Sequence, residues 1–263
     1  MRALALHADV LVFVSDVWQT TCTAVRAADE GFVIDSPVYP EELRVLPGVL
    51  EQAGYPVSGL LTTHGDWDHL LGRLAFPGAA LAAGESTVAR LGSELGQAHR
   101  ELREFDEEHY VAERAPLSLG SLQALPVPGR LEIGSSAAAG ARELELHPTG
   151  GHTADGTAFW MPWCNALVCG DYLSPVELPA ISPGGSAAVY QETLQRLAPL
   201  VAQAEWVVPG HGGPISGERA QQVLAEDRAY LEALMRDREH AALPEGRRTA
   251  AQRRLHADNV AQL

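Results

Sequence analysis

Six residues, His64-Gly65-Asp66-Trp67-Asp68-His69, carry four side chains that can ligate a metal, and they directly follow the apolar run Gly59-Leu60-Leu61-Thr62-Thr63. A short apolar run bounded by polar residues reads as a buried strand. A strand running out into a loop can aim several imidazoles and carboxylates at one point, and these are the groups that hold zinc, manganese or iron. The competing reading is a polar helix start, with Asp68 as its cap and His69 as a bystander. The rest of the chain has to decide between them.

Three later turns add ligands. His152 lies in Gly150-Gly151-His152-Thr153, Asp171 in Cys169-Gly170-Asp171, and His211 in Pro209-Gly210-His211-Gly212-Gly213. Each follows an expected strand, and the neighbouring glycines let the backbone bend tightly and approach a ligand closely. Any one of the three alone is an ordinary turn histidine or turn aspartate. Together with residues 64 to 69 they read as one metal centre.

The chain between these motifs alternates in blocks. Strands are expected at Ala3–Leu6, Val10–Val14, Cys22–Ala27 and Phe32–Ile34, then a helix from Pro40 to Ala53 opened by acidic residues and ended by Gly54. A short helix follows at Leu70–Phe76, then a strand at Ala79–Ala83. A long charged helix is expected over Glu85–His109, with a break near Gly92 or Gly96. Leu117–His147 returns to strands around a turn at Pro128-Gly129 and a small-residue loop, Ser135–Gly140. Further strands at Thr157–Met161, Ala166–Cys169 and Trp206–Val208 are interleaved with helices at Ala187–Val201 and Gly217–Arg238. The Arg247-Arg248 and Arg253-Arg254 pairs are placed in a final helix. No repeat or Pro/Ser-rich linker divides the chain, so residues 1–263 are expected to form a single domain with a C-terminal helical extension from about residue 240. Two strand blocks, each with helices on its outer face, predict an α/β (α+β) four-layer αββα sandwich.

With the motifs in this order, the chain resembles the metallo-β-lactamase-fold hydrolases. The HxHxDH motif of that family stands here as His64–His69, followed by GHT at Gly151–Thr153, GD at Gly170-Asp171 and GHG at Gly210–Gly212. The resemblance covers most of the chain. It implies two divalent ions, zinc foremost: His64, position 66 and His152 on the first, Asp68, His69 and His211 on the second, and Asp171 bridging. One position departs from the family, since Asp66 replaces the second histidine. A carboxylate there still binds a hard or borderline cation and admits manganese or iron. The extra negative charge would leave a filled centre near neutral and make it a weaker Lewis acid.

The resemblance further implies hydrolysis by a metal-bound hydroxide, with Asp68 as the catalytic residue that positions the nucleophile and relays a proton. An ester, thioester or lactone is the expected substrate class. Two alternatives stand beside this one: a mononuclear iron dioxygenase of persulfide type, and a non-catalytic binding module on the same fold. Tyr172 is a candidate oxyanion donor or a core tyrosine, Trp67 a pocket wall or packing, and His147 a supporting residue or a surface one. His256 and Asn259 sit three apart on the expected last helix, facing the site or a subunit interface, so a homodimer stays open. The segments Glu85–His109 and Leu173–Ser186 are expected to line the pocket.

Composition narrows the partners. A net charge of −15, from 19 basic against 34 acidic residues, disfavours nucleic acid or an anionic membrane. A small molecule is the expected partner. No stretch reaches the roughly 18 apolar residues of a membrane span, and His7, Asp9 and Asp16 interrupt the apolar start, against a secretory signal. Cys22, Cys164 and Cys169 show no CxxC spacing, which fits a reducing cytoplasm rather than a disulfide framework. Cys169 is expected to be buried and inert.

Overall fold

A computed structural model of the protein describes residues 1–134 and 140–263. Most of the small-residue loop expected at Ser135–Gly140 lies outside the described residues. Strands β1 (Arg2–His7), β2 (Val10–Val14), β3 (Thr21–Ala27) and β4 (Glu30–Asp35) form the expected antiparallel meander. Helix α1 (Pro40–Gln52) then crosses over to β5 (Gly59–Leu61), which lies parallel to β4. After α2 (Gly72–Ala75) come β6 (Ala80–Gly84), α3 (Glu85–Ser93), α4 (Gln97–Glu108) and β7 (Leu122–Leu125), completing a seven-stranded sheet in sequential order.

The second sheet has six strands among the described residues. Strands β8 (Gly129–Ile133), β9 (Arg142–Pro148), β10 (Thr157–Met161) and β11 (Ala166–Val168) run antiparallel. Helix α5 (Ala187–Gln203) returns the chain to β12 (Trp206–Val208), parallel to β11, and β13 (Ile215–Ser216) closes the edge. Helices α6 (Gly217–Asp237) and α7 (Ala250–Ala261) follow.

Side chains alternate along each strand and so sort into three cores, which defines four layers. Val12, Val25, Ile34 and Leu61 of the first sheet meet Leu146, Phe159, Met161 and Val168 of the second between the sheets. Phe13, Ala24, Val33 and Leu60 point the other way, under α1 and α4. Ala158, Trp160, Leu167 and Val207 pack beneath α5 and α6. This is the strand period of two read out as three interfaces.

The 85–109 segment breaks at Gly96, which has φ +78°, as expected near Gly92 or Gly96, and leaves Leu95 79% exposed. Other boundaries differ from expectation. The last helix begins only at Ala250, where Thr249 caps it by accepting from the Gln252 amide. Arg247, expected inside that helix, precedes it and is fully buried, pairing with Asp227 at 2.5 Å and Glu226 at 2.9 Å. Strand β13 is two residues long and leaves no sequence pattern to read.

Candidate metal centre

Strands β4 and β5 run in the same direction, as do β9, β11 and β12, because the two antiparallel steps from β9 through β10 to β11 reverse the direction twice and β12 is parallel to β11. Their C-terminal ends therefore gather on one edge of the sandwich, where open α/β sheets place their ligands. His64 to His69 follow β5, His152 follows β9, Asp171 follows β11 and His211 follows β12. All seven expected residues arrive at this edge.

They form overlapping groups. His64, Asp66 and His152 make one, Asp68, His69 and His211 a second, and Asp171 joins His64 and His69 in a third. Nε2 of His152 lies 3.3 Å from Asp66 Oδ2 and 3.3 Å from Asp171 Oδ2, and His64 Nε2 lies 3.5 Å from Asp66 Oδ2. On the other side, Asp68 Oδ2 lies 3.4 Å from His211 Nε2 and 3.5 Å from His69 Nε2. Asp171 reaches His69 and His211, each at 3.3 Å.

These spacings fit ions. Two donors bound at about 2.1 Å in tetrahedral geometry stand roughly 3.4 Å apart. Nε2 of His64, Nε2 of His69 and Oδ1 of Asp171 are moreover buried and have no hydrogen-bond partner among the described residues. Polar atoms so placed are costly unless something else satisfies them, and a cation is what this donor set would accept.

The other ring nitrogens are all held. His69 Nδ1 faces Asp35 Oδ2 at 3.0 Å, His64 Nδ1 faces Thr63 Oγ1 at 3.0 Å, His152 Nδ1 donates to Ala180 O at 2.9 Å, and His211 Nδ1 faces Thr20 Oγ1 at 3.3 Å. Such contacts fix the ring orientation and leave Nε2 to ligate. Gly210 has to be glycine for a related reason: a Cβ there would sit 2.0 Å from Asp171 Oδ1.

Charge works in the same direction. Burial pulls the His152 pKa down, but Asp171 and Asp66 outweigh it and hold it up at about 9. Burial likewise opposes Asp171, Glu177 and Asp68 at His211, which ends at about 10. The Asp171 carboxyl is driven well below its usual range: the four imidazoles of His211, His69, His152 and His64 overcome its desolvation. The centre is a concentration of negative charge that draws protons and would draw a divalent cation in their place.

Four residues unforeseen from sequence complete the surroundings. Asp35, at φ +57°, also accepts from the Thr63 amide at 2.8 Å and from Thr63 Oγ1 at 2.8 Å. Arg90 on α3 spans Asp66 Oδ1 at 2.9 Å and Asp155 Oδ1 at 2.9 Å, and Asp155 Oδ2 accepts from the Gly65 amide at 3.0 Å. Glu177 interacts electrostatically with His211, Asp171, Asp68 and His152, and its burial raises its carboxyl pKa.

A cavity of about 630 Å³ opens beside Asp66 and Asp68 and is lined by Trp67, Arg90, Arg100 and Ser182 among others. Residues from both segments expected to line a pocket do so. Trp67 is wall and packing at once, since its ring lies 4.9 Å from Phe105 of α4 and 5.8 Å from Trp18. Tyr172 is not aimed at the cavity: its hydroxyl donates to Gly150 O at 2.6 Å and accepts from the His152 amide at 3.1 Å. His147 faces Glu145 on its own strand. Asn259 reaches the loop behind His152, where it accepts from the Ile181 amide and donates to Pro179 O, both at 2.8 Å. Cys169 is buried, as expected, and burial raises its thiol pKa well above the ordinary value.

The sequence profile of the metallo-beta-lactamase superfamily matches residues 15–211. No curated protein matches the chain. Among solved structures, a metallo-beta-lactamase from Pontibacter korlensis is similar at TM-score 0.64 and 17% identity, covering 88% of this chain and 98% of its own. A metallo-beta-lactamase family protein from Thermus thermophilus reaches TM-score 0.67 at 21% identity, covering 98% and 95% respectively. The inverting sec-alkylsulfatase Pisa1 from Pseudomonas sp. reaches 0.70 at 12% identity, covering 98% of this chain and 49% of that one.

Proposed function

The chain belongs to the metallo-beta-lactamase superfamily, and from that premise we propose that it is a dinuclear metal-dependent hydrolase of a small ester, thioester or lactone. The observation that carries the reading is the pair of complete ligand groups, His64–Asp66–His152 and Asp68–His69–His211, with Asp171 against both. Two divalent ions held there would supply Lewis acidity and bring the pKa of a water molecule toward neutrality. Zinc suits the imidazole-rich set best, and Asp66 leaves room for manganese or iron.

The protein's own groups do the rest. Asp68 stands between His69 and His211 at the cavity edge, placed to hold the attacking water and pass its proton to the leaving group. Trp67 gives the cavity an apolar wall, while Arg90, Arg100, Glu94 and Glu101 give it charged groups of both signs. A carbonyl substrate with an apolar body and a polar end matches that mixture.

A complete second ligand group favours two ions over the single iron of a persulfide-type dioxygenase. Six of the seven ligand positions keep the family's residue and the seventh, Asp66, is changed to another ligand type, which weighs against a non-catalytic module. The test is turnover of aryl esters, thioesters, lactones and phosphodiesters, and of glutathione persulfide with oxygen uptake, by protein stripped with chelator and then reloaded with zinc, manganese or iron. Metal-dependent cleavage of one of the first three classes is expected. Oxygen uptake, or silence throughout together with weak metal binding, would overturn the proposal.

A further inference from the structure

Asp66 is the one ligand position where this chain departs from the family motif, and among the described residues it is also the one ligand paired with an arginine. Its two oxygens face different partners. Oδ2 points into the centre, 3.3 Å from His152 Nε2 and 3.5 Å from His64 Nε2, whereas Oδ1 is taken by the Arg90 guanidinium at 2.9 Å. We propose that Asp66 and Arg90 act as one unit replacing the usual histidine: Arg90 is a positioning residue that holds one oxygen, so that the other is offered to the first ion as a single donor atom, and its charge offsets the added carboxylate in part.

The reasoning starts from what a free carboxylate does. It rotates, and it can bind a cation through one oxygen or both. An imidazole presents one donor atom in one direction. To imitate it, an aspartate has to have its second oxygen occupied by a group that is itself fixed, and Arg90 is fixed. Its Nη1 pairs at 2.9 Å with Asp155, whose side chain is 1% exposed, and its Nε pairs with Glu94 at 3.2 Å. Asp155 in turn holds the Gly65 amide, inside the same motif as Asp66. The planar guanidinium fork makes these separate contacts at once, which a lysine ammonium cannot match in geometry.

Charge leads to the same pairing. The guanidinium places a permanent positive charge directly against the added carboxylate of Asp66; because Arg90 shares that charge with Asp155 and Glu94, it offsets the extra negative charge in part.

The inference rests on the dinuclear reading, and the experiment separates the two. First- and second-site zinc affinities are measured by calorimetric titration, and zinc content by elemental analysis after dialysis, for wild type, Asp66→His, Arg90→Gln and the Asp66→His/Arg90→Gln double variant. Each single substitution is expected to weaken the first ion by about tenfold or more, the usual scale for losing a group that orients a ligand. The double variant is expected to return to within roughly threefold of wild type, because residues in contact do not act additively. The second ion, whose ligands Arg90 does not touch, is retained throughout and reports that the fold is intact.

If Asp66→His alone holds the first ion as tightly as wild type, or the double variant is as weak as the two single effects combined, the unit is overturned while the dinuclear reading survives. If wild type binds only one ion, both fall. Should Arg90→Gln lose the second ion as well, Arg90→Lys decides, since it keeps the charge and loses the fork: a weakened first ion supports the positioning role and an unchanged one overturns it.

Discussion

Nδ1 of His69 meets Oδ2 of Asp35 at 3.0 Å although the two residues are 34 positions apart in the chain. Both side chains are almost wholly buried, and the same carboxylate ties down Thr62 and Thr63 at the end of β5. Asp35 thus orients the second-site histidine and the strand that carries the first motif. Asp35→Asn is expected to weaken the second ion by about 10- to 100-fold, with the first ion less affected. Zinc titration of the variant checks it, and an unchanged second-site affinity would remove Asp35 from the centre's support.

Tyr172 gives a contrasting expectation. Its hydroxyl bridges Gly150 O and the His152 amide, inside the fold. Tyr172→Phe should lower the unfolding free energy by about 1–3 kcal/mol, as a buried polar partner is lost, while kcat at saturating metal stays within roughly threefold of wild type. A loss of kcat by the about 100-fold or more typical of an oxyanion donor would restore the catalytic role considered from sequence.

The C-terminal helix leads to a third expectation. Asn259 is completely buried and bonds both Ile181 N and Pro179 O, Gln252 accepts from Leu178 N at 2.6 Å, and the residue between those contacts, Ala180, supplies the carbonyl that holds His152. Asn259→Ala leaves a buried amide and a buried carbonyl unpaired, a loss of about 1–3 kcal/mol for each group. It should also weaken the first ion, which His152 serves, more than the second. Denaturant midpoints combined with zinc titration test this; equal weakening of both ions would mean that α7 supports the fold but does not position His152.

The pH dependence has a definite sign. His152 and His211 are held at about 9 and about 10, above the unfolded value of about 6.5. Between these limits the folded protein binds more protons than the unfolded chain. For chelator-stripped protein, this contribution to stability is fully present below about pH 6.5 and is lost as pH rises through about 9 to 10. Zinc requires the same imidazoles deprotonated, so its affinity should rise over that window and its binding should release protons. Urea midpoints of stripped and zinc-loaded protein across the range check both slopes; stripped protein that gains stability toward alkaline pH would contradict them.

The ligand residues were legible in the sequence because metal chemistry restricts residue types and because the turns that deliver them carry glycines, as at Gly151, Gly170 and Gly210. The layered sandwich was legible from the order of strand and helix blocks, since alternation along β2, β10 and β11 encodes which core each side chain enters. Asp35, Arg90 and Asp155 were not, because their partners are brought near only by the completed fold. Asp35 did leave a trace as a charged residue ending the apolar run Phe32-Val33-Ile34. Arg90 left none. Arg253 and Arg254 lie in the final helix as expected, but Arg247 falls outside it because Asp227 and the carbonyls of Ser174 and Glu177 hold it in a buried pocket.

The most direct measurement of the central claim is anomalous X-ray diffraction at the zinc edge from crystals of zinc-loaded protein. Two peaks per chain are expected, one among His64, Asp66 and His152 and the other among Asp68, His69 and His211, with the Asp171 carboxylate between them. A single peak, or a first-group position that stays empty while Asp66 remains paired only with Arg90, would contradict the dinuclear account.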